Sequence, residues 1–265
     1  MNQSIALLGV GNIGSALANG LLNAGYLKPE QLYLTRRNLD KISSFAEKGC
    51  HTLSTNTDAV QKANLVVIAV EPHHLGDVLK QIDPVLTEDH TIVSIATGWN
   101  IAKIKNQLTL DIPIIRSMPN TAIAIGQSMT CLAGPKGEKM DQTKALFECV
   151  GEVTIIDEEL MSSATALAAC GIAFFLRAIR AAAQGGIEIG FHADQAIKMA
   201  SQTAKGAASL LLEDEHHPEF EIDRVTTPKG CTIAGLNQLE HGGFSSAMIR
   251  GIVTSAEKAV GLGED

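Results

Sequence analysis

Short apolar segments alternate with helix-forming segments through the first 157 residues, and this alternation is the strongest constraint on the fold. Seven runs rich in Val, Ile and Leu are predicted as strands: residues 4–9, 31–35, 65–70, 91–95, 112–116, 128–132 and 152–156. Helical patterns lie between them, at residues 12–24, 39–48, 72–81, 101–106 and 138–149. Continuous apolar runs separated by helices are typical of buried parallel strands with crossover connections. The pattern therefore predicts an α/β fold with a doubly wound parallel sheet.

After residue 157 the strand pattern stops, and helical patterns follow at residues 158–185, 193–213 and 244–260. We therefore predict two domains, an α/β domain over residues 1–157 and an all-α domain over residues 158–265. Residues 160–176 carry no charge but are short and weakly apolar for a membrane span, so we predict a buried helix. A helix that is apolar nearly all round needs a cover, and a second subunit is a natural one.

The composition narrows the range of partners and cell compartments. Hydrophobic residues make up 45% of the chain, and the formal net charge is −8. Such a chain can build a full core, and its acidity disfavours nucleic acid and membrane surfaces as partners. We expect no signal peptide, because the first residues lack a basic start and a cleavage site. Five cysteines without a Cys-x-x-Cys pair fit reduced thiols, so we expect a cytoplasmic protein.

A glycine motif follows the first predicted strand and opens the first predicted helix. It consists of Gly9, Gly11 and Gly14, with Asn12 and Ile13 between the last two glycines. In this context the first glycine makes a tight turn, the second lets the backbone approach a pyrophosphate, and the third lets helix and strand pack closely. The motif predicts a Rossmann-type, dinucleotide-binding domain; a purely structural glycine turn is the alternative.

The end of the second strand indicates which dinucleotide. An NAD-binding unit usually has an acidic residue there to hold the ribose 2′-hydroxyl. This chain has Thr35, Arg36 and Arg37 instead. Guanidinium groups suit a 2′-phosphate through charge-assisted hydrogen bonds, so we favour NADP(H) over NAD(H). The alternative is an ordinary solvated basic pair.

Two further loops contain residue types that suit ligand binding. Asn120 follows a predicted strand and offers an amide to a nicotinamide or a substrate, although a Pro-Asn pair is also common in plain turns. Residues 224–234 form a Pro/Gly/Thr segment that runs into a helix, whose N–H groups can hold a carboxylate. Thr232 lies at the start of that helix. Its alternative role is to cap the helix.

The order of these motifs resembles that of the pyrroline-5-carboxylate reductase family. The resemblance rests on residues 9–14, 69–72, 118–121 and 215–218, and above all on residues 223–235 and 239–244. It implies a Rossmann-type domain followed by an all-α dimerisation domain. It also implies the reduction of the cyclic imine 1-pyrroline-5-carboxylate to L-proline with NADPH, by homodimers that assemble into larger rings such as a decamer.

The resemblance also implies roles for individual residues. Thr232 is expected to be catalytic, by hydrogen bonding the ring nitrogen, while N–H groups of Gly230, Cys231 and Thr232 hold the substrate carboxylate. Glu215 matches an acidic residue near the substrate loop. Besides the glycine motif and residues 35–37, the residues expected to bind the cofactor are Asn56, Ala69, Val70, Glu71, Pro72, Thr97, Gly98, Met118, Pro119 and Asn120. We expect no metal, because adjacent histidines such as His73 and His74 point about 100° apart on a helix.

The chain departs from the family pattern at three places, and two other functions stay open. Glu71 stands where the family usually has lysine, residues 168–174 lack the usual hydroxyls and proline, and Lys229 replaces a glycine. A related NADP-dependent imine reductase or 3-hydroxyacid dehydrogenase is one alternative. The latter enzymes use a lysine on the long helix after the nucleotide domain, and residues 158–185 contain none. A non-catalytic nucleotide-binding homologue is the other alternative.

Overall fold

A computed structural model describes residues 4–214 and 216–261 of the chain. The chain forms two compact units. One comprises the residues up to Cys170 together with those from Ser255 onward, and the other comprises Gly171–Thr254. The domain boundary after residue 157 stays a prediction.

The first unit contains an eight-stranded sheet with helices between the strands. Its elements are β1 (Ile5–Leu8), α1 (Asn12–Asn23), β2 (Leu32–Thr35), α2 (Ser43–Glu47), β3 (His51–Leu53), α3 (Asn56–Val60), β4 (Leu65–Ile68), α4 (Pro72–Ile82), β5 (Thr91–Ser94), α5 (Ile101–Lys105), β6 (Ile114–Met118), β7 (Ser128–Ala133), α6 (Glu138–Glu148), β8 (Gly151–Ile155) and α7 (Met161–Ala164). The strand order is β3-β2-β1-β4-β5-β6-β7-β8. This confirms the predicted doubly wound fold.

Parallel pairing brings most strand ends to one edge of the sheet. Ile5 of β1 lies opposite Leu32 of β2 and Leu65 of β4, and the parallel ladder continues through β5 to β6. Only one of the pairings in the described sheet, between β6 and β7, is antiparallel. The carboxyl ends of β1, β2, β4, β5 and β6 therefore share one edge, which is where open α/β sheets bind ligands.

The two faces of the sheet are buried by different helices. Leu17 and Leu21 of α1 join a core cluster on one face, and Leu75 and Leu79 of α4 join a second cluster on the other. All four residues of β1 are buried, as are all four of β4. Burial on both faces explains why these strands appear in the sequence as unbroken apolar runs.

The segment after the sheet is less regular than the single helix predicted over residues 158–185. It begins with a 3-10 turn at Glu158–Leu160, continues as α7, and passes through a π-helical segment at Thr165–Cys170. Glu158 anchors this segment to the sheet, because its Oε1 accepts a hydrogen bond from Nη1 of the buried Arg116 at 3.2 Å. Burial lowers the pKa of Arg116, while the hydrogen bond to Glu158 acts in the opposite direction.

The second unit is helical. Its elements are α8 (Gly171–Glu188), α9 (Ala193–Asp214), α10 (Pro218–Val225), α11 (Cys231–His241) and the first part of α12 (Phe244–Gly261). The sequence patterns predicted α9 and α12 to within one residue but missed α10. Helices α8 and α9 pack closely, since a Cβ added at Gly186 would lie 3.1 Å from Cβ of Ala196.

Residues 160–176, predicted as an apolar helix that a second subunit covers, are not buried within the single chain. Leu167, Phe175 and Leu176 are 61%, 61% and 59% exposed. Among the described residues, one helical run, at 158–188, is long and apolar enough by length and composition alone to cross a membrane. Only 17% of its most apolar window is buried. This exposure agrees with the need for a cover that the apolar pattern indicated.

Candidate active site

The glycine loop leaves the backbone N–H groups at the start of α1 without a side-chain cap. Gly11 is the N-cap residue, no side chain makes a capping hydrogen bond, and the first turn contains no acidic residue. The N–H groups of Gly9 and Val10 both donate to the carbonyl of Thr35, at 3.1 and 2.9 Å. This fixes the loop to the end of β2. The start of α1 is thus suited to an anion.

Each glycine of the motif occupies a different environment. Gly9 has φ +85°, and a Cβ there would lie 2.4 Å from Cγ1 of Val70. A Cβ at Gly14 would lie 3.0 Å from the carbonyl oxygen of Gly9, whereas one at Gly11 would meet nothing within 4 Å. Gly9 and Gly14 are therefore required by the fold. Gly11 faces open space, which fits a position kept small for a ligand.

A chain of polar side chains links the end of β2 to α3 and α4. The hydroxyl of Thr35 donates to Oδ1 of Asn56 at 2.7 Å, and Nδ2 of Asn56 donates to Oε1 of Gln81 at 2.9 Å. Thr35 is buried, and Asn56 is half-buried at the start of α3. These contacts hold three elements together beside the glycine loop.

A cavity of ≈ 900 Å³ opens beside this loop. Nine residues assigned to the cofactor line it: Gly9, Gly11, Thr35, Arg36, Arg37, Asn56, Ala69, Val70 and Glu71. The sequence analysis did not assign the remaining lining residues to the cofactor: Val10, Asn38, Lys41, Ser54, Thr55, Thr57, His74, Asp77, Val78 and Gln81. The α4 part of the lining is mostly polar and lies beside the buried apolar face of that helix. A polar face on an amphipathic helix carries no signal for a ligand in the sequence.

The two arginines after β2 make different contacts. Nη1 of Arg36 donates to the carbonyl of Val10 at 2.6 Å, so this side chain supports the glycine loop. Nη2 of Arg37 donates to Nε2 of His74 at 3.3 Å, and the Arg37 side chain is exposed. In the sequence the two arginines form an equivalent basic pair, and the structure gives them different roles.

The other residues assigned to the cofactor lie outside the cavity lining but at the same end of the sheet. Asn12, Ile13 and Gly14 belong to α1, and Pro72 begins α4. Thr97 and Gly98 follow β5, and Met118, Pro119 and Asn120 end or follow β6.

The side chain of Asn120 is largely engaged by the protein itself. Its Oδ1 accepts from the N–H of Ala122 at 3.0 Å, and its Nδ2 donates to the carbonyl of Ala168 at 3.2 Å. Asn120 is also buried. These contacts fix the turn after β6, and the amide role toward a ligand stays a prediction.

Glu71, His73 and His74 bring three donor atoms within 4.8 Å of one another. The rings of the two histidines have centroids 4.0 Å apart, closer than their spacing on a helix suggested. A cation there would lie beside the Arg37 guanidinium and the positive end of the α4 dipole, and both oppose it. The same surroundings favour an anion, and the absence of a metal stays a prediction.

The predicted substrate loop lies at the start of α11. Gly230 is the N-cap, no side chain makes a capping hydrogen bond, and Thr232 is half-buried at the second helical position. Thr232 is therefore not the cap that the alternative interpretation required. Lys229 has φ +60°, the one positive φ outside glycine among the described residues. Glu215 lies outside the described residues.

Comparisons with known proteins cover nearly the whole chain. Residues 158–262 match the family model for pyrroline-5-carboxylate reductase dimerisation, and residues 4–98 match a model for coenzyme F420-dependent NADP oxidoreductases. Pyrroline-5-carboxylate reductase 2 of Dictyostelium discoideum is 48% identical over 276 residues, covering 97% of this chain and 92% of that protein. The chain belongs to the pyrroline-5-carboxylate reductase family. The resemblance found in the sequence is confirmed.

Other members of the family differ in length or in sequence distance. Pyrroline-5-carboxylate reductase 1 of Dictyostelium discoideum is 51% identical over 275 residues, which are 98% of this chain. This chain spans only about half the length of that relative (50%). The Plasmodium falciparum pyrroline carboxylate reductase, whose crystal structure has NADP bound, is 26% identical with a TM-score of 0.90. The alignment covers 99% of this chain and 98% of that structure.

Proposed function

We propose that this chain reduces 1-pyrroline-5-carboxylate to L-proline with NADPH. The observation that carries the proposal is the 48% identity with a reductase of this name, spread over 97% of the chain. A match over 97% of the chain spans both the glycine loop and the segment around Thr232. The two rival functions from the sequence, another dehydrogenase and a non-catalytic homologue, have no comparable support.

The residues around the glycine loop fit NADP(H). Gly11 leaves open space beside an uncapped helix start, and Arg37 places an exposed guanidinium where an NAD-binding domain usually has an acid. Asn56 and residues 69–72 surround the same cavity or adjoin it. When bound, NADPH supplies a hydride from C4 of its nicotinamide. Thr97, Gly98, Met118, Pro119 and Asn120 are assigned to the nicotinamide side.

The substrate residues are assigned to the start of α11. The N–H groups of Cys231 and Thr232 hold the carboxylate, because the first turn of a helix has unpaired donors and a positive dipole end. The N–H of Gly230 donates to the carbonyl of Thr227 at 2.9 Å, so Gly230 is assigned to the substrate as the N-cap residue of this turn. The hydroxyl of Thr232 holds the ring nitrogen, which ends protonated. A protonated imine is already electrophilic, so the chain needs no strong general acid. Glu215 is assigned to the substrate by its place in the sequence.

A homodimer supplies the cover that the helical unit lacks. Phe175 and Leu176 of α8 are about three-fifths exposed, and Ile189 and Leu212 are 78% and 77% exposed. Burial of exposed apolar side chains stabilises an interface by roughly 25 cal/mol for each Å² of apolar surface removed from water. A second copy is the partner we assign, since residues 158–262 match a dimerisation model. Larger rings such as a decamer and a cytoplasmic location complete the proposal.

The direct test follows absorbance at 340 nm with purified protein, NADPH and 1-pyrroline-5-carboxylate, and identifies the product by chromatography. The account predicts stoichiometric proline. NADPH oxidation without proline, or no turnover by a folded protein that binds NADPH, would refute the proposed activity. A 3-hydroxyacid substituted for the imine, with NADP⁺, tests the rival dehydrogenase directly.

The dimer has a test of its own. Phe175→Glu places a charge in the apolar surface, and burying it unpaired costs several kcal/mol. We expect sedimentation to show dimers or larger assemblies for the parent and a smaller species for Phe175→Glu. Lys62→Glu, on an exposed residue of the first unit, is the matched control and should sediment like the parent. A parent chain that sediments as a monomer at micromolar concentration contradicts the dimer.

A further inference from the structure

The contact between Arg37 and His74 spans the cavity beside the glycine loop. Arg37 follows β2 and His74 lies in the first turn of α4, which follows β4. In the sheet, β2 and β4 are the two neighbours of β1. The 3.3 Å contact between Nη2 of Arg37 and Nε2 of His74 therefore joins the two sides of the cavity across the end of β1.

The position of Arg37 identifies which part of a dinucleotide lies near this contact. In Rossmann-type domains, the residues at the end of β2 meet the 2′ position of the adenosine ribose. Arg36 and Arg37 occupy those positions, but Arg36 is committed to the carbonyl of Val10. Arg37 is left as the guanidinium for a 2′-phosphate, and His74 lies within hydrogen-bond distance of it.

We propose that His74 is a specificity-determining residue that holds the adenosine 2′-phosphate together with Arg37. This inference rests on the proposed use of NADP(H). His74 accepts from Arg37 in this structure, because a guanidinium only donates. An anion that replaces this contact accepts one hydrogen bond from the guanidinium and one from an imidazole N–H.

The charge around the cavity supports an anion at this place. Besides His74, the lining contains three basic residues, Arg36, Arg37 and Lys41, and two acidic ones, Glu71 and Asp77. Glu71 and Asp77 lie on the same segment as His74 and repel an anion. The attraction therefore comes from the three basic residues, which follow β2 on the other side of the cavity. Hydrogen bonds between charged donors and phosphate oxygens are about twice as strong as neutral ones.

The test measures binding of two fragments to the full chain by calorimetry, without substrate or turnover. The fragments are 2′,5′-ADP and 5′-AMP, which differ only in the 2′-phosphate. We expect the parent to prefer 2′,5′-ADP, and His74→Ala to lose about fivefold to twentyfold of that preference with little change for 5′-AMP. Arg37→Ala should lose more of this preference than His74→Ala. The double variant should lose less than the product of the two single losses, because the two groups hold one phosphate.

The neighbouring histidine gives the matched control. His73 is exposed and does not line the cavity, so His73→Ala should keep the preference of the parent. His74→Ala with the parental ratio of affinities would overturn the proposal, and so would an equal loss for both fragments. Failure of the proposed activity looks different. A chain that binds 2′,5′-ADP through His74 but forms no proline contradicts only the proposed activity. A chain that forms proline, but whose His74→Ala variant keeps the parental ratio of fragment affinities, contradicts only the role of His74.

Discussion

Replacing Gly9 by alanine tests whether the glycine loop is shaped by the steric limits of the sheet edge. Its φ of +85° lies in the region that costs an L-residue roughly 1–2 kcal/mol. The added Cβ would lie 2.4 Å from Cγ1 of Val70, and overpacking of this kind costs about 1–3 kcal/mol. We therefore expect Gly9→Ala to lower the free energy of unfolding by about 2–5 kcal/mol, a large part of a typical total.

Two companion variants separate the causes. Val70→Ala introduced into the Gly9→Ala chain removes the Cγ1 contact but leaves the strained φ. We therefore expect Val70→Ala to lower the free energy of unfolding less in the Gly9→Ala chain than in the parent. Gly11→Ala meets nothing within 4 Å and has a negative φ, so we expect it to cost only about 1 kcal/mol, as an N-cap change. Its Cβ enters the space assigned to the pyrophosphate, and NADPH affinity should fall at least about tenfold.

Urea unfolding of the ligand-free variants gives the stabilities, and NADPH fluorescence titration gives the affinities. The reasoning predicts opposite profiles, with Gly9→Ala unstable and Gly11→Ala stable but poor in NADPH binding. If Gly9→Ala is as stable as the parent, the steric account of the loop is refuted. If Gly11→Ala binds NADPH like the parent, the pyrophosphate does not lie at this glycine.

Three further predictions concern other parts of the chain. Thr232→Ala should lower kcat/KM for the imine at least about tenfold with NADPH affinity unchanged, and Thr232→Ser should stay largely active. Equal kinetics for Thr232→Ala and the parent would contradict a catalytic role for Thr232. Lys229→Gly should stabilise the chain by about 0.5–1 kcal/mol in thermal unfolding, because relief of the φ +60° strain exceeds the added chain entropy; no gain would contradict this. Glu158→Ala should cost about 2–3 kcal/mol in urea unfolding, since it leaves the Arg116 guanidinium buried and unpaired, whereas Glu158→Gln should cost less.

The sequence predicts the parts of the fold that are governed by local patterns. β1 and β4 are buried on both faces and were visible as apolar runs. β3 was missed because it has only three residues, none of them buried, and includes His51 and Thr52. The π-helical segment at Thr165–Cys170 was missed because small apolar residues fit either helix type.

The parts that depend on distant contacts could not be predicted. The contact between Arg37 and His74 joins residues that are 37 positions apart, and neither segment contains a pattern that predicts contact with the other. The different engagements of Arg36 and Arg37 also depend on where the glycine loop lies. The apolar run at residues 160–176 indicated that a cover is needed and favoured a second subunit. Which side chains stay exposed in the single chain, such as Phe175, depends on how distant segments pack.

Deuterium transfer follows the proposed hydride from the cofactor to the product. NADPH carrying deuterium at the transferred position of C4 is incubated with the purified chain and 1-pyrroline-5-carboxylate, and the product is analysed by mass spectrometry and NMR. The account predicts L-proline with one deuterium, on ring carbon 5, in proportion to the NADPH consumed. Proline without deuterium, or deuterated cofactor consumed with no labelled proline, would contradict hydride transfer to the cyclic imine by this protein.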